Sequence, residues 1–267
     1  MPFEDSGFLA SEAPWISQIR DQHRAWFDFV SKINRFAMTV LLQEVPKIPE
    51  ELYVVTLYAR AVTMFQGAVL LVERGMAAES RTLVRGCAET AIALGCTRRD
   101  KTFPEKLDDD HDKHRIALAN DILNLPANDP NVSPEQRAGL KQLIDEVSAQ
   151  YSPPRPLRIN WAVASSTAGM TDLYLTVYRQ TSSDASHVSL RALNRHLVTD
   201  ARERIVGFQL RPFPEETIDT LSSSIAAILH ATEAKLLDRA DTATDDATLL
   251  ELIREWRTLI ETSEVEP

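Results

Sequence analysis

The stretch from about residue 50 to 97 rules out most folds for this chain. Leu52, Val55, Leu57, Tyr58, Val62, Met64, Phe65, Val69, Leu70 and Val72 occupy nearly every face of a 3.6-residue helix. A helix that is apolar all round belongs in the middle of a bundle. Pro46 and Pro49 break the chain before it, and Glu50 and Glu51 put acid where a helix dipole favours it. Gly75 supplies the left-handed position that ends the helix, and a second helix follows almost at once, from Ala77 to about Thr97. So short a connection makes the two an antiparallel hairpin. On the second helix Gly86, Ala88, Ala91, Ala93 and Gly95 allow close approach by neighbours.

The rest of the chain supplies elements to cover that hairpin. From about Ser11 to Glu44, Trp15, Ile19, Trp26, Phe29, Val30, Ile33, Phe36, Ala37 and Val40 recur at three-to-four spacing, which predicts one long amphipathic helix, straight or kinked. A charged helix is expected from Glu105 to about Leu123. Pro126 to Pro130 forms a loop, and Ser133-Pro-Glu-Gln opens a capped helix ending near Tyr151. Ser152-Pro-Pro-Arg-Pro156 reads as a stiff, extended linker. A long helix is expected from Asn160 to about Ser186, and further helices from Glu215 to Ala240 and from Asp245 to Glu261. Between them, Leu197 to Leu210 carries the one strand signal, a short hairpin. The expected fold is all-α, a multi-helix bundle with at most one short β-hairpin near residues 197–210. It forms a single domain over 1–267 whose core bundle lies at about 50–97 and 160–240, with a polar helical excursion at about 103–152.

Charge narrows the partners. Lys and Arg total 29 against 39 Asp and Glu, a net charge of −10, so the long-range field repels nucleic acid and anionic membrane. The longest apolar windows, such as Ala61–Val72, are interrupted by Gln66 and fall short of the ~20 residues a membrane span needs. Met-Pro-Phe-Glu-Asp-Ser has neither the basic nor the apolar region of a signal peptide, so no membrane partner and a cytoplasmic location are expected. Cys87 and Cys96, nine apart on one helix, lie roughly 13 Å apart by helical rise, too far to bridge.

One polar constellation stands out. Tyr174, Tyr178, Arg179, Ser182, Asp184 and His187 gather inside an otherwise apolar pattern. On the second hairpin helix Arg81, Arg85 and Glu89 stand four apart and share a face. If these helices meet, Glu89 or His187 can accept a proton and Arg85 can hold an anionic group, making Arg85, Glu89 and His187 the candidate catalytic residues. The ligand-binding candidates are Tyr174, Tyr178, Arg179, Ser182 and Arg60. The same groups would equally serve as a buried network that fixes helix register.

Arg60, Leu70-Leu-Val-Glu-Arg-Gly75, Glu79-Ser-Arg-Thr-Leu-Val-Arg85-Gly-Cys-Ala-Glu89 and Tyr178-Arg-x-x-Ser-x-x-x-x-His187 together resemble the bacterial domain of unknown function 5677 family, over roughly residues 50 to 230. The resemblance implies an all-helical, cytoplasmic bacterial protein and no established activity.

Two other patterns carry alternatives. Arg191-Ala-Leu-Asn-Arg-His196 fits the Arg-x4-His spacing of HEPN-type ribonucleases, within a basic island of five arginines between Arg191 and Arg211. That likeness implies a metal-independent ribonuclease or toxin in phage defence or growth arrest. Arg191 and His196 (or, less regularly spaced, Arg179 and His187) would act on RNA across a homodimer. Ala192 departs from that motif, which usually has a polar residue there. His111-x-x-His114 among Asp108, Asp109, Asp110 and Asp112 lacks the His-Glu-x-x-His and paired Glu-x-x-His patterns of zinc and di-iron sites, so no metal and no cofactor are expected. Three functions remain open: a polar intrabundle pocket for a small or nucleotide-like ligand or a protein partner, the ribonuclease, and a structural interaction module without a site.

Overall fold

A glycine and two apolar helices set the architecture. The computed structural model describes residues 3–11, 13–42, 49–151, 158–185, 190–237 and 243–263. The chain divides into two compact units, one built from Met1–Arg99 with Trp161–Pro267 and the other from Asp100–Asn160.

In the larger unit, short helix α1 (Phe3–Ser6) precedes α2 (Pro14–Gln22) and α3 (Arg24–Leu42), and then come α4 (Pro49–Glu73) and α5 (Ala77–Arg99). Between α4 and α5, Gly75 takes φ +75°. Its N–H bonds Val72 O at 2.8 Å and the Met76 N–H bonds Leu71 O at 3.0 Å, the paired bonds that close a helix through a left-handed residue. A Cβ at Gly75 would lie 2.5 Å from Pro212 Cβ, so the turn needs glycine for space as well as for φ. Tyr58, Ala61, Val62, Phe65, Ala68 and Val72 of α4 are buried, as are Val84, Cys87, Ala88, Ala91 and Leu94 of α5. Helix α12 (Thr217–Leu236) packs on both, burying Leu221, Ile225 and Ile228. The Tyr58 hydroxyl stands 3.0 Å from Thr232 Oγ1 and 3.3 Å from Ala37 O, which ties α4, α12 and α3 together at one buried point. Helix α13 (Ala243–Ser263) lies on α3 and α12, with Trp26 donating to Ser263 Oγ at 3.0 Å.

Length and composition alone would let Glu51–Glu73 cross a membrane, which corrects the expectation that no apolar window is long enough. The interruption at Gln66 is too weak to lower the hydropathy of the whole helix. In the structure the Tyr58–Phe65–Val72 side of α4 is buried in the bundle, while Leu52 and Leu70 on its other side are exposed.

Two expected long helices are broken. The one over 11–44 stops at His23, whose carbonyl accepts from both Trp26 (3.0 Å) and Phe27 (3.2 Å) as the helix restarts. The break lets Trp15 donate to Arg74 O at 3.1 Å on one side and Trp26 reach Ser263 on the other. The helix expected over 160–186 ends at Ala168, because Gly169 takes φ +69°. It becomes α8 (Trp161–Ala168), α9 (Thr171–Leu173), a π-helical turn (Tyr174–Tyr178) and α10 (Arg179–Ala185). Helix α8 approaches α5 closely because Gly95 has no Cβ. One built there would lie 2.9 Å from Ala168 Cβ and 3.0 Å from Met170 Cε. A short α11 (Leu190–Asn194) leads into the hairpin, β1 (Leu197–Thr199) antiparallel to β2 (Ile205–Phe208), with Leu197 opposite Phe208 and a bulge after Val198. The fold is thus all-α apart from this one hairpin.

The smaller unit holds α6 (Phe103–Leu123) and α7 (Pro134–Ala149). Ser133 caps α7 in a reciprocal box with Gln136, the Gln136 N–H donating to Ser133 Oγ at 3.2 Å and the Ser133 N–H to Gln136 Oε1 at 2.8 Å. Tyr151 donates to Asp112 Oδ2 at 2.9 Å, the Ile159 N–H donates to Asp110 Oδ1 at 3.0 Å, and His111 and His114 are exposed. Asp110 and Asp112 therefore tie down the unit's own chain. The proposed linker at 152–156 lies outside the described residues.

Candidate functional site

The chain between Asp172 and Asp184 meets α5 at two places. The first is set by the π-helical turn. There the Arg179 N–H reaches back five residues to Tyr174 O instead of four, so one extra residue is accommodated in the turn. With that register the Tyr174 and Tyr178 rings stack, centroids 5.2 Å apart and planes 19° from parallel. Arg85 of α5 lies against the pair. Its Nη2 donates to the Tyr178 hydroxyl at 2.7 Å and its Cζ stands 4.5 Å from the Tyr178 ring centroid. Arg85 Nε is buried with no hydrogen-bond partner among the described residues. A buried guanidinium donor without an acceptor is costly, and it is the sort of group a ligand satisfies.

Glu89 sits one turn along α5 from Arg85 and is half-buried like it. Burial, and then the Glu89 charge, push the Tyr178 phenol up; Arg85 opposes this without cancelling it. Tyr178 is consequently a neutral hydrogen-bonding phenol throughout the physiological range. The structure therefore brings Arg85, Glu89, Tyr174 and Tyr178 together. Ser182 stands at the edge of the cluster, its hydroxyl turned back to Tyr178 O at 2.7 Å. Arg179 and Arg60 are both exposed, on α10 and α4. His187 lies outside the described residues, as does the side chain of Arg191. Of the Arg191 and His196 pair the structure therefore shows only His196, exposed, with Nδ1 3.3 Å from Gln209 O.

The second meeting place is an ion network that the sequence pattern does not reveal. Asp184 of α10 has a side chain only 1% exposed. Arg195 holds it in fork fashion, Nη1 to Oδ1 at 2.8 Å and Nη2 to Oδ2 at 3.0 Å, and Arg81 Nη1 adds a third bond at 3.1 Å. Both arginines also hold Glu216, Arg195 through Nε at 3.0 Å and Nη2 at 2.8 Å, and Arg81 at 2.6 Å. Two buried cations thus face two carboxylates, which joins α5, α10, the end of α11 and the start of α12. Burial alone would raise both carboxyls, but the bonds and charges of Arg195 and Arg81 outweigh it and hold both below the usual range. The bonds to Glu216 and Asp184 raise the Arg195 guanidinium further. Among the described residues no group of three or more His, Cys, Asp or Glu converges as a metal site would require.

An all-helical bundle in which a π-helical turn lays two stacked tyrosines against a half-buried Arg–Glu pair defines the structural class. The chain belongs to a family of unknown function, DUF5677, whose model matches residues 51–204, more than half of the 267. The match runs from α4 into the hairpin loop, so it takes in Arg85, Glu89, Tyr174, Tyr178, Asp184 and Arg195. It stops short of the residue 230 suggested by the sequence resemblance. No curated protein and no solved structure matches the chain.

Proposed function

We propose that the face formed by Arg85, Glu89, Tyr174 and Tyr178 is a binding site for a small anionic ligand that carries a ring, of the nucleotide-like kind. The observation that carries this reading is the buried, partnerless Nε of Arg85 beside the stacked tyrosine pair. An anionic oxygen would complete the guanidinium fork, the geometry in which arginine binds carboxylate and phosphate best. A planar ring would extend the stack begun by the tyrosines. Glu89 would accept a proton or a hydroxyl from the same ligand, and His187 would serve as a second acceptor. The setting we propose is the cytoplasm of a bacterium.

The test is a thermal-shift titration of the full chain with adenosine diphosphate, with inorganic phosphate and adenosine as separate probes. We expect the diphosphate to raise Tm by more than either part, and Arg85→Met to abolish the rise while the variant still folds. A wild-type Tm that no probe moves, or a shift that Arg85→Met retains, would reject the site.

A further inference from the structure

The π-helical segment has a second face. Opposite it, α12, α13 and Arg81 of α5 border a cleft of about 420 Å³ whose lining includes Gln180, Asp219, Ser222, Ser223 and Trp256. That volume lies within the range of about 300–1,000 Å³ typical of small-molecule sites, but the lining is far more polar than such sites usually are.

The hydroxyls of this cleft divide into two kinds. Thr176 and Thr181 donate to carbonyls in their own helical turns, at 2.7 Å each, as do the core-facing Thr220 and Ser224 of α12, outside the cleft, at 2.8 Å. Ser222 and Ser223 are half-buried on the cleft wall, yet their hydroxyls bond no protein group among the described residues. A serine within a helix either turns back to the carbonyl four residues earlier or offers its hydroxyl outward. These two face a cleft instead, beside the amide of Gln180, which both donates and accepts.

Charge selects the ligand class. The Arg81 charge is already offset by two carboxylates, Asp184 and Glu216, both held through Nη1, so it has little attraction left for an anion. Asp219 is the lining charge without an ion-pair partner among the described residues, and it would repel one. A cation would satisfy Asp219 but leave the donors of Gln180, Ser222 and Ser223 without acceptors. A neutral molecule bearing several hydroxyls satisfies all of them, since each hydroxyl both donates and accepts. The Trp256 indole adds an aromatic wall of the kind that covers the C–H face of a sugar ring, and among the described residues its Nε1 is buried with no acceptor, so packing alone holds the ring. We infer that this cleft binds a neutral sugar or polyol, at a site separate from the Arg85 cluster.

The test is titration of the full chain with D-glucose and with maltose, followed by tryptophan fluorescence and saturation-transfer NMR. Spermidine and inorganic phosphate serve as cationic and anionic comparators. We expect a saturable response to at least one of the two sugars. Combined Ser222→Ala and Ser223→Ala should weaken it about tenfold, as the loss of two modest hydrogen bonds implies. Trp256→Phe should abolish the fluorescence change, and Arg85→Met should leave sugar binding unaltered, which separates this site from the one proposed above. Should the double serine variant lose helical circular dichroism, Asp219→Asn at the exposed rim carries the same comparison. No saturable response to either sugar, a response confined to spermidine or phosphate, full binding in the serine and Asp219 variants, or a fluorescence change that survives Trp256→Phe would each overturn the inference.

Discussion

Replacing Asp184 with alanine tests the ion network most directly. The substitution removes three charge-assisted bonds, from Arg195 at 2.8 and 3.0 Å and from Arg81 at 3.1 Å. Two guanidinium groups then face the single carboxylate of Glu216, and their side chains are only 9% and 10% exposed. Summing charged hydrogen bonds at about 1.5–3 kcal/mol each would overstate the loss, because both arginines keep their bonds to Glu216 and water can enter the gap. The better guide is the removal of one partner from a buried ion pair, about 3–5 kcal/mol. For a chain of this size that corresponds to a fall in Tm of roughly 6–10 °C. Urea denaturation followed by circular dichroism at neutral pH measures it. The exposed Asp21–Arg24 pair is the control, and Asp21→Ala should leave the midpoint in place. A cycle with Arg195→Ala should show coupling of about 1–3 kcal/mol. An Asp184→Ala variant within about 1 kcal/mol of wild type, or a cycle without coupling, would refute the reasoning.

Both carboxyls of the network are held below their ordinary range, so their contribution is present above about pH 4 and fades as pH falls through the folded values. Urea midpoints measured from pH 6 down to 3 should fall more steeply for wild type than for Asp184→Ala. At the alkaline end, burial raises the phenols of Tyr58, Tyr151 and Tyr178, so folding favours their neutral forms and stability should decline as pH climbs above about 10. Ultraviolet titration should find these three of the 5 tyrosines ionising above the ordinary phenol range. Burial pushes the Cys87 thiol up to about 12, and its Sγ contacts Ala61 O at 3.4 Å, so Cys87 should react with a disulfide reagent only at the rate of global opening. Gly75→Ala combines a φ of +75° with a Cβ 2.5 Å from Pro212 Cβ, and urea denaturation should show a loss of at least about 2 kcal/mol.

What the sequence discloses and what it hides follow from the range of the interactions involved. The α4–Gly75–α5 hairpin is legible because each signal is local: a repeating apolar pattern, a left-handed glycine and a short turn. The Ser133 cap and the 197–210 hairpin are local too. The breaks at His23 and Gly169 escape periodicity, because apolar spacing continues across both. Gly169 was itself a signal, since a glycine between two periodic segments is a candidate helix end. The π-helical turn is invisible for a related reason: one additional residue rotates a face without removing any apolar side chain from the pattern. The ion network is hidden by distance, as Asp184 finds Arg81 103 positions away. Locally Asp184 sits among Gln180, Thr181, Ser182, Ser183 and Ser186, so its own neighbourhood gives no sign of burial.

The two meeting places are mechanically linked. On α5, Arg81 and Arg85 are one turn apart, roughly 6 Å by rise. Across from them, Asp184 and Tyr178 lie on one continuous run through the π-helical turn and α10. Arg81 with Arg195 fixes where α10 stands along α5, and that position decides whether the Tyr178 hydroxyl meets Arg85 Nη2 at 2.7 Å. A register fixed this way belongs to a functional site as readily as to a purely structural pin, since a site needs its groups held to within about 0.5 Å. The difference lies in the group left unsatisfied. A network whose only role is to set register would be expected to close on itself, as Arg81, Asp184, Arg195 and Glu216 very nearly do. The Arg85 cluster does not close, because Nε of Arg85 is buried and still lacks an acceptor. That difference is what supports the proposal that the first network is the frame and the second the site it holds.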